Sequence, residues 1–249
     1  RAIVRSNLWL RTADRVLLKM AEFEARTFEE LFQQTKALMW EVLIPPDGKF
    51  TVTGTSVKSQ LHSVPACQGI CKKAIASRLG EAYLMETLPE TGAEYTVKVT
   101  ILKDRVTLTV DTSGSGLHKR GYRVKTVAAP IKETLAAAMV QLSFWNKDRV
   151  LLDPCCGSGT IAIEAAMIGR NIAPGLSRSF ACEEWEAIDK KLWKEEKKRA
   201  YDLMDDEAKL DIVAIDIDKM AIEAAKENAI EAGVDDCIRF INADMARIK

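Results

Sequence analysis

The sequence has no apolar run that approaches the roughly 18 residues of a membrane-spanning helix, and it does not open with a signal-peptide pattern. We therefore expect a cytoplasmic protein without a membrane partner. Its six cysteines are scattered along the chain, which is typical of reduced thiols. Cys67 and Cys71 lie one helical turn apart, but no second pair matches their spacing, so no metal site is predicted.

Net charge is also absent, because 36 Lys and Arg residues balance 36 Asp and Glu residues. The balance hides an asymmetry: residues 1–125 contain 19 basic and 13 acidic residues, and the remainder contains 17 and 23. The positive excess in the first half favours a polyanionic partner there. A length of 249 residues is sufficient for two domains.

The first part of the chain, residues 1–112, is predicted to form a compact α+β domain. The pattern places Thr27 as the N-cap of the first helix and Lys103–Asp104 at the turn of a hairpin. A glycine-rich, basic linker is predicted to follow over residues 113–129. The expected elements are a helix within 26–44, a strand over 49–57, a helix over 64–83 and the two hairpin strands within 94–111.

Residues 130–249 show strands that alternate with helices, which predicts a parallel, doubly wound sheet of the α/β class. A helix over 130–145 precedes this alternation. The polar stretch 171–210 is predicted to be a helical insertion. The alternating segments are 149–153, 158–169, 210–217, 219–233 and 238–244.

The segment LLDPCCGSGTIAIEAA, residues 151–166, lacks the lysine that a nucleoside triphosphate would require after its glycine turn. Residues 157–162 do match the dinucleotide pattern G-x-G-x-x-[GA], although this match is weak when it stands alone. A third ligand of glycine turns is S-adenosylmethionine (SAM), which carries an ammonium, a ribose diol and an adenine but no phosphate.

Acidic residues at the ends of the three strands favour SAM. Because the carboxyl ends of parallel strands meet at one edge, we expect Asp153, Asp216 and Asp244 to surround one pocket. Asp153 would face the ammonium, Asp216 the ribose diol and Asp244 the adenine amine, whereas a pyrophosphate would be repelled by Asp153. Roles as strand-end turn residues are the alternative for Asp216 and Asp244. The predicted cofactor-binding residues are Asp153, Pro154, Cys155, Gly157, Ser158, Gly159, Asp216, Ile217, Asp244 and Met245.

Four segments carry a family resemblance: DPCCGSGTIAIEAA, NIAPGLSRSFACEEW, AIDIDKMAIEAAKENA and LHKRGYR. Together they resemble bacterial THUMP-domain RNA methyltransferases of the 23S rRNA guanine-N2 class, which are often labelled N6-adenine-specific DNA methylases. The resemblance implies a Rossmann-like SAM methyltransferase sheet, incomplete in this chain. It also implies a THUMP domain and part of a ferredoxin-like domain before that sheet. The implied reaction is methyl transfer from SAM to the exocyclic amine of a guanine in 23S rRNA.

The sequence departs from this family at the catalytic loop. The resemblance implies an Asn/Asp-Pro-Pro-Tyr/Phe loop that accepts hydrogen bonds from the amine and stacks on the flipped base. Residues 1–249 contain no such motif, because Pro45 and Pro46 precede Asp47-Gly48 and predict a turn. No catalytic residue is therefore assigned, and we expect the natural polypeptide to begin before Arg1 and to continue beyond residue 249.

Two groups of residues are candidates for RNA contact. The loop at 118–123 could cover the cofactor or hold phosphate while its tyrosine stacks on a base, or it could be a linker whose tyrosine packs at a domain junction. Adenine methylation of DNA, a nicotinamide oxidoreductase and a non-catalytic RNA-binding module remain as alternative functions. The candidate RNA-binding residues are Lys58, Lys72, Lys73 and Arg78 in the first half and Lys119, Arg120, Tyr122 and Arg123 in the loop.

Overall fold

The computed structural model describes residues 1–247. The chain divides into two compact units, each built from separate segments of the sequence. The first unit comprises Arg15–Gly114 and Phe180–Lys190, and the second comprises Arg1–Asp14, Ser115–Ser179 and the residues from Lys191 onward. The expected division into 1–112, 113–129 and 130–249 differs from this one in two segments. It placed residues 1–14 in the first domain and residues 180–190 in the last.

Specific contacts explain both differences. In the second unit, the Gly175 amide donates to the carbonyl of Leu8 at 3.0 Å, which fastens the N-terminal segment there. In the first unit, the Trp185 indole donates to the carbonyl of Glu94 at 3.0 Å and its ring stacks on Tyr95 with centroids 4.8 Å apart. Part of the predicted 171–210 insertion therefore belongs to the first unit.

The described residues form seven α-helices and seven β-strands. The helices are α1 (Ala2–Trp9), α2 (Phe28–Lys36), α3 (Val64–Tyr83), α4 (Glu133–Leu142), α5 (Thr160–Gly169), α6 (Lys190–Asp202) and α7 (Lys219–Glu231). The strands are β1 (Leu17–Glu24), β2 (Lys49–Val57), β3 (Glu94–Leu102), β4 (Arg105–Asp111), β5 (Leu151–Asp153), β6 (Ile212–Asp216) and β7 (Ile238–Asn242).

The first unit contains a four-stranded sheet in the order β1-β4-β3-β2. Strand β2 pairs in parallel with β3, and the other pairs are antiparallel. Alternate residues of β3 and β4 are buried, which matches the period of a strand with one covered face. Helix α3 packs against α2 and β2. The sheet therefore has a helical layer and a more polar opposite face.

Several predicted elements of this unit are confirmed, and two need correction. β2 and α3 have the predicted bounds, and Thr27 caps α2 in a capping box with Glu30. The helix predicted within 26–44 ends at Lys36, because the buried Trp40 indole donates to the carbonyl of Thr35 at 2.8 Å within a tight turn. Strand β1 was not predicted, and its pairing with β4 contains an irregularity between Lys19 and Ala21.

The second unit contains the parallel sheet, in the order β5-β6-β7. Helices α5 and α7 pack on the strands with an alanine- and isoleucine-rich core. In the described chain β5 pairs only with β6, and an apolar groove of about 470 Å3 lies beside β5, lined by Val150, Leu152 and Met139. The predicted fold class, an incomplete parallel sheet after an α+β unit, is confirmed. The helix predicted over 130–145 is shorter, since α4 ends at Leu142.

Among residues 1–247, no helix combines the length and the apolar character needed to cross a membrane.

Candidate functional site

The carboxyl ends of the three parallel strands lie at one edge of the second unit. The register pairs Asp153 with Ala214 and Asp216 with Asn242, so β5 ends two residues short of β6 and β6 ends level with β7. Asp244 follows two residues after the end of β7. This edge is where ligands bind in doubly wound sheets.

The glycine turn between β5 and α5 has the backbone conformation that its sequence predicts. Gly157 and Gly159 have φ values of +53° and +81°, which residues with a side chain rarely adopt. A Cβ at Gly159 would lie 3.0 Å from the Cβ of Ala225 on α7, whereas one at Gly157 would meet only Val127, at 3.6 Å. Gly159 is therefore required for helix packing, and Gly157 leaves the mouth of the turn open.

Asp216 is joined directly to the glycine turn. Its Oδ2 accepts from the Gly157 amide at 2.9 Å, and its Oδ1 accepts from the Asp218 amide at 2.9 Å. Asp153 is buried, and its Oδ2 accepts no hydrogen bond from any described residue. Burial, together with the nearby Asp216 carboxylate, raises the pKa of Asp153. The structure thus brings these two acids together.

The loop after β7 approaches the same turn. The Cys155 thiol lies 3.6 Å from the Met245 sulfur, and the Asn242 side chain donates to the carbonyls of Asp216 and Ile217 at 2.9 Å. The Asp244 carboxylate accepts from the amide of residue 246 at 3.0 Å. Cys155 and Met245 are therefore neighbours, and the Asp244 carboxylate bonds within its own turn.

This arrangement suits a ligand that presents hydrogen-bond donors and positive charge. Two carboxylates lie at the mouth of the turn, so an anionic group would be repelled there. Exposed apolar side chains, Ile217 and Met245, flank them and offer a surface for a flat ring. In the described part of the chain, no group of three or more His, Cys, Asp and Glu side chains could hold a metal ion.

Arg123 supports the glycine turn, a role that the sequence did not reveal. Its guanidinium donates to Glu133 at 2.8 Å and to the carbonyl of Ile131 at 2.9 Å. It also donates to the hydroxyls of Ser158 at 3.2 Å and Thr160 at 3.1 Å. Arg123 therefore joins the start of α4 to the turn, and the predicted cofactor residue Ser158 uses its side chain for this contact.

Asn228 on α7 supports the turn from the other side. Its Oδ1 accepts from the amides of Val124 and Lys125, both at 3.0 Å, and its Nδ2 donates to the carbonyls of Lys125 at 3.0 Å and Ser158 at 3.1 Å. The side chain is 1% exposed, so all of its bonding capacity is used inside the protein. A signal was available: the asparagine interrupts the apolar stripe of α7, where a polar residue must find partners.

The loop at 118–123 is largely internal, which corrects the RNA-contact hypothesis for part of it. Arg120 is 2% exposed and donates to the Arg11 carbonyl and to the buried Glu164 carboxylate at 3.4 Å. The Tyr122 hydroxyl donates to Glu164 at 3.2 Å, and burial beside this carboxylate raises the pKa of Tyr122 well above its usual value. Buried rings and guanidinium groups cannot stack on a base, so the predicted RNA contacts of Arg120 and Tyr122 are not compatible with this structure. Lys119 is exposed.

The basic residues proposed in the first unit have mixed surroundings. Arg78 forms a two-pronged ion pair with Glu41, and Lys72 lies 3.8 Å from Glu90. Lys73 lines a cavity of about 710 Å3 whose walls also carry the carboxylates Glu81, Glu86 and Glu90. Lys58 is exposed just after β2. RNA contact by these residues stays a prediction, and the structure does not gather them into a uniformly cationic patch.

Comparisons with known proteins bear on both units. The family described as "RMKL-like, methyltransferase domain" matches residues 120–249, and the THUMP domain family matches residues 25–111. A proposed RNA methyltransferase of Bacillus subtilis (strain 168), YpsC, is 55% identical over 243 residues. The match covers 96% of this chain and 63% of YpsC, so the chain spans less than two thirds of that relative.

Two solved structures are similar to this chain over almost its whole length. A predicted N6-adenine-specific DNA methylase from Listeria monocytogenes (strain 4b F2365) has a TM-score of 0.97 at 54% identity, covering 100% of this chain and 66% of that one. SMU.472, a proposed methyltransferase crystallised with SAH, has a TM-score of 0.94 at 45% identity, covering 99% of this chain and 66% of that one.

These matches extend over the glycine turn, the acidic strand ends and the basic loop described above. A methyltransferase family that covers more than half of the chain decides against the alternative of a nicotinamide oxidoreductase. The chain belongs to the family of RMKL-like methyltransferase domains, with a THUMP domain before the methyltransferase domain.

Proposed function

We propose that the protein transfers a methyl group from SAM to the exocyclic N2 amine of a guanine in 23S rRNA. The observation that carries this proposal is the bond from the Gly157 amide to Asp216 at the carboxyl edge of the sheet, in a chain of a methyltransferase family. An RNA substrate is supported by the THUMP domain at residues 25–111 and by the name of YpsC.

The residues at the strand ends fit SAM. Asp153 has a buried oxygen without a hydrogen-bond donor, which suits the ammonium of the cofactor directly or through water. Each Asp216 oxygen accepts one amide, which leaves capacity for the two ribose hydroxyls. Ile217 and Met245 would contact the adenine, and Asp244 would accept from its amine. The presence of SAH in the SMU.472 crystal supports this choice of cofactor.

The chain's own residues hold and orient the cofactor. When bound, SAM would supply an electrophilic methyl group on a sulfonium for in-line transfer to the acceptor amine, with S-adenosylhomocysteine as the leaving group and a proton lost from the methylated nitrogen. Asp216 fixes the ribose, while the open conformation at Gly157 allows the backbone to approach the ligand closely. Reactions of this kind depend chiefly on positioning the two reactants. We assign no catalytic residue among residues 1–247.

Adenine-N6 methylation of DNA is the second candidate, because the Listeria relative carries that name and the amine chemistry is the same. The two are separated with the full-length protein, methyl-labelled SAM, and either ribosomal RNA or DNA from a strain that lacks the gene. We expect label in 23S rRNA, mapping to a guanine, and none in DNA. Label in adenine of DNA alone would replace the proposal, and Asp216→Ala, which should bind SAM more weakly, serves as the control with reduced labelling in both assays.

A further inference from the structure

A cavity of about 410 Å3 in the second unit has an excess of positive charge. Its walls are the loop 118–123 and residues 130–133 at the start of α4. Among its lining residues only Glu133 carries a carboxylate, and Arg123 holds that carboxylate at 2.8 Å. Lys119 and Lys132 also line the cavity, both are exposed, and neither takes part in an ion pair within residues 1–247.

The walls of the cavity are fixed by hydrogen bonds. Arg178 donates to the carbonyls of Ser115 and Gly116 at 2.6 Å and of Lys119 at 3.0 Å. Gly121 has a φ of +109°, and a Cβ there would lie 2.5 Å from the Ser177 carbonyl oxygen. These contacts place LHKRGYR against the segment that contains Arg178, so the cationic loop is held in shape before any ligand arrives.

The side chain of Arg123 connects the cavity to the candidate cofactor site. Arg123, which lines it, also donates to the hydroxyls of Ser158 and Thr160 in the glycine turn. A group bound beside Lys119 and Lys132 would therefore lie next to a nucleotide presented to the cofactor. Two lysines without carboxylate partners favour an anionic oxygen group such as phosphate.

We propose that this cavity binds a backbone phosphate of the nucleic-acid substrate next to the nucleotide to be methylated, with Lys119 and Lys132 as its charged contacts. This inference depends on the proposed function, because it assumes a nucleic-acid substrate. The carboxylate of the cofactor has related anionic chemistry, and the experiment must separate these two sources.

The test uses the full-length protein with Lys119→Gln and Lys132→Gln combined, compared with Lys209→Gln and Lys226→Gln, which remove two exposed charges from the same unit. Affinity for a 23S rRNA transcript is measured against salt concentration, and SAM affinity is measured by calorimetry. We expect RNA affinity to fall about fivefold or more, and the salt slope to fall by about 0.7–0.9 for each phosphate that the variant no longer neutralises. SAM affinity and the unfolding midpoint should match those of the control pair.

An unchanged RNA affinity and salt slope, in a protein that still methylates RNA, would overturn the cavity assignment and leave the proposed function intact. A loss of SAM affinity with RNA affinity unchanged would also overturn it and assign the cavity to the cofactor carboxylate. If the unaltered protein binds and methylates no RNA, the proposed function and this inference both fail.

Discussion

Asn228→Ala removes a side chain that makes four hydrogen bonds inside the second unit. The Lys125 amide and the carbonyls of Lys125 and Ser158 lose this partner, whereas the Val124 amide keeps its bond to the Tyr122 carbonyl at 3.0 Å. A buried hydrogen bond has a net value of about 1 kcal/mol, and a buried group left without one costs about 1–3 kcal/mol. Allowing for relaxation and water entry, we expect a loss of about 3–4 kcal/mol in the free energy of unfolding.

The same substitution should weaken SAM binding, because the Ser158 carbonyl belongs to the glycine turn. If the substitution makes the binding conformation of the turn about 1.4 kcal/mol less stable, SAM affinity falls about tenfold. Denaturant titration gives the stability change, and calorimetry below the unfolding range gives the affinity. Lys226→Ala on the exposed face of α7 is the matched control and should change stability by less than about 0.5 kcal/mol.

Asn228→Asp separates the donor from the acceptor role. The acceptor oxygen for Val124 and Lys125 is kept, but a carboxylate oxygen then faces the two carbonyls that the amide now serves. Burial against carbonyls raises the folded-state pKa of that acid, so the protonated form is favoured on folding. The loss in the free energy of unfolding caused by Asn228→Asp should therefore be smallest below about pH 4 and should grow as the pH rises. A loss below about 1 kcal/mol for Asn228→Ala, with SAM affinity unchanged, would refute this account of the turn.

Four further substitutions test the strand ends and the glycine turn. Asp216→Ala should weaken SAM binding by about 1–3 kcal/mol, as measured by calorimetry, and an unchanged affinity would remove Asp216 from the site. Gly157→Ala should destabilise the protein by only about 1–2 kcal/mol because its φ is positive, yet it should abolish SAM binding. Gly159→Ala should destabilise it more because of Ala225 on α7, and equal unfolding midpoints for the two variants would contradict this. Asp153→Asn should raise the stability of the ligand-free protein at neutral pH while weakening SAM binding.

The sign of the Asp153 effect follows from its raised folded-state pKa. For such an acid, stability is fully present below the unfolded pKa of about 3.9 and is lost as the pH rises through the folded value. The advantage of Asp153→Asn should therefore disappear below about pH 4, in unfolding titrations run across the range. A stabilisation that does not depend on pH would show that burial of the charge is not its cause.

Local signals predicted the regular elements well. Helix α3 begins with Pro65 in its first turn, and β2 alternates without interruption, so both have the predicted bounds. The helix within 26–44 was overextended because apolar spacing alone does not show that the Trp40 indole takes the carbonyl of Thr35. Strand β1 was missed because its pairing irregularity breaks the simple alternation of covered and open residues.

The acidic strand ends were predictable for a different reason. Their position depends only on strand direction and on the doubly wound topology, which the alternation of strands and helices already fixes. The structure joins Asp216 to the glycine turn and sets Asp153 close by, as the pattern indicates. A bond between the Asp244 carboxylate and the residues after β7 could not be foreseen, since it depends on the turn that follows the strand.

The prediction for the basic loop at 118–123 differs most from the structure. A run of basic residues is usually exposed to solvent, but Arg120 and Tyr122 are buried here. The acids that pair with it lie outside the loop: Glu133, ten residues after Arg123, and Glu164, 44 residues after Arg120. Glu164 carries the usable signal, since it is a single acid within the apolar helix TIAIEAAMIG and must be paired if buried. Burial raises its pKa, and the Arg120 and Arg11 guanidinium groups oppose that rise.

This buried network explains why a loop so rich in charge can support a cofactor turn. A buried ion pair contributes little net stability, but it accepts few alternative arrangements, because any displaced charge would be left without a partner. Glu164 on α5 therefore fixes Arg120 and Tyr122, and they in turn fix the position of Arg123 at the glycine turn. Arg120 and Arg123 are paired with carboxylates inside the unit. Lys119 is exposed and lines the cavity together with Lys132. One short segment can thus order the cofactor turn with its buried side chains and present positive charge to a substrate with its exposed one.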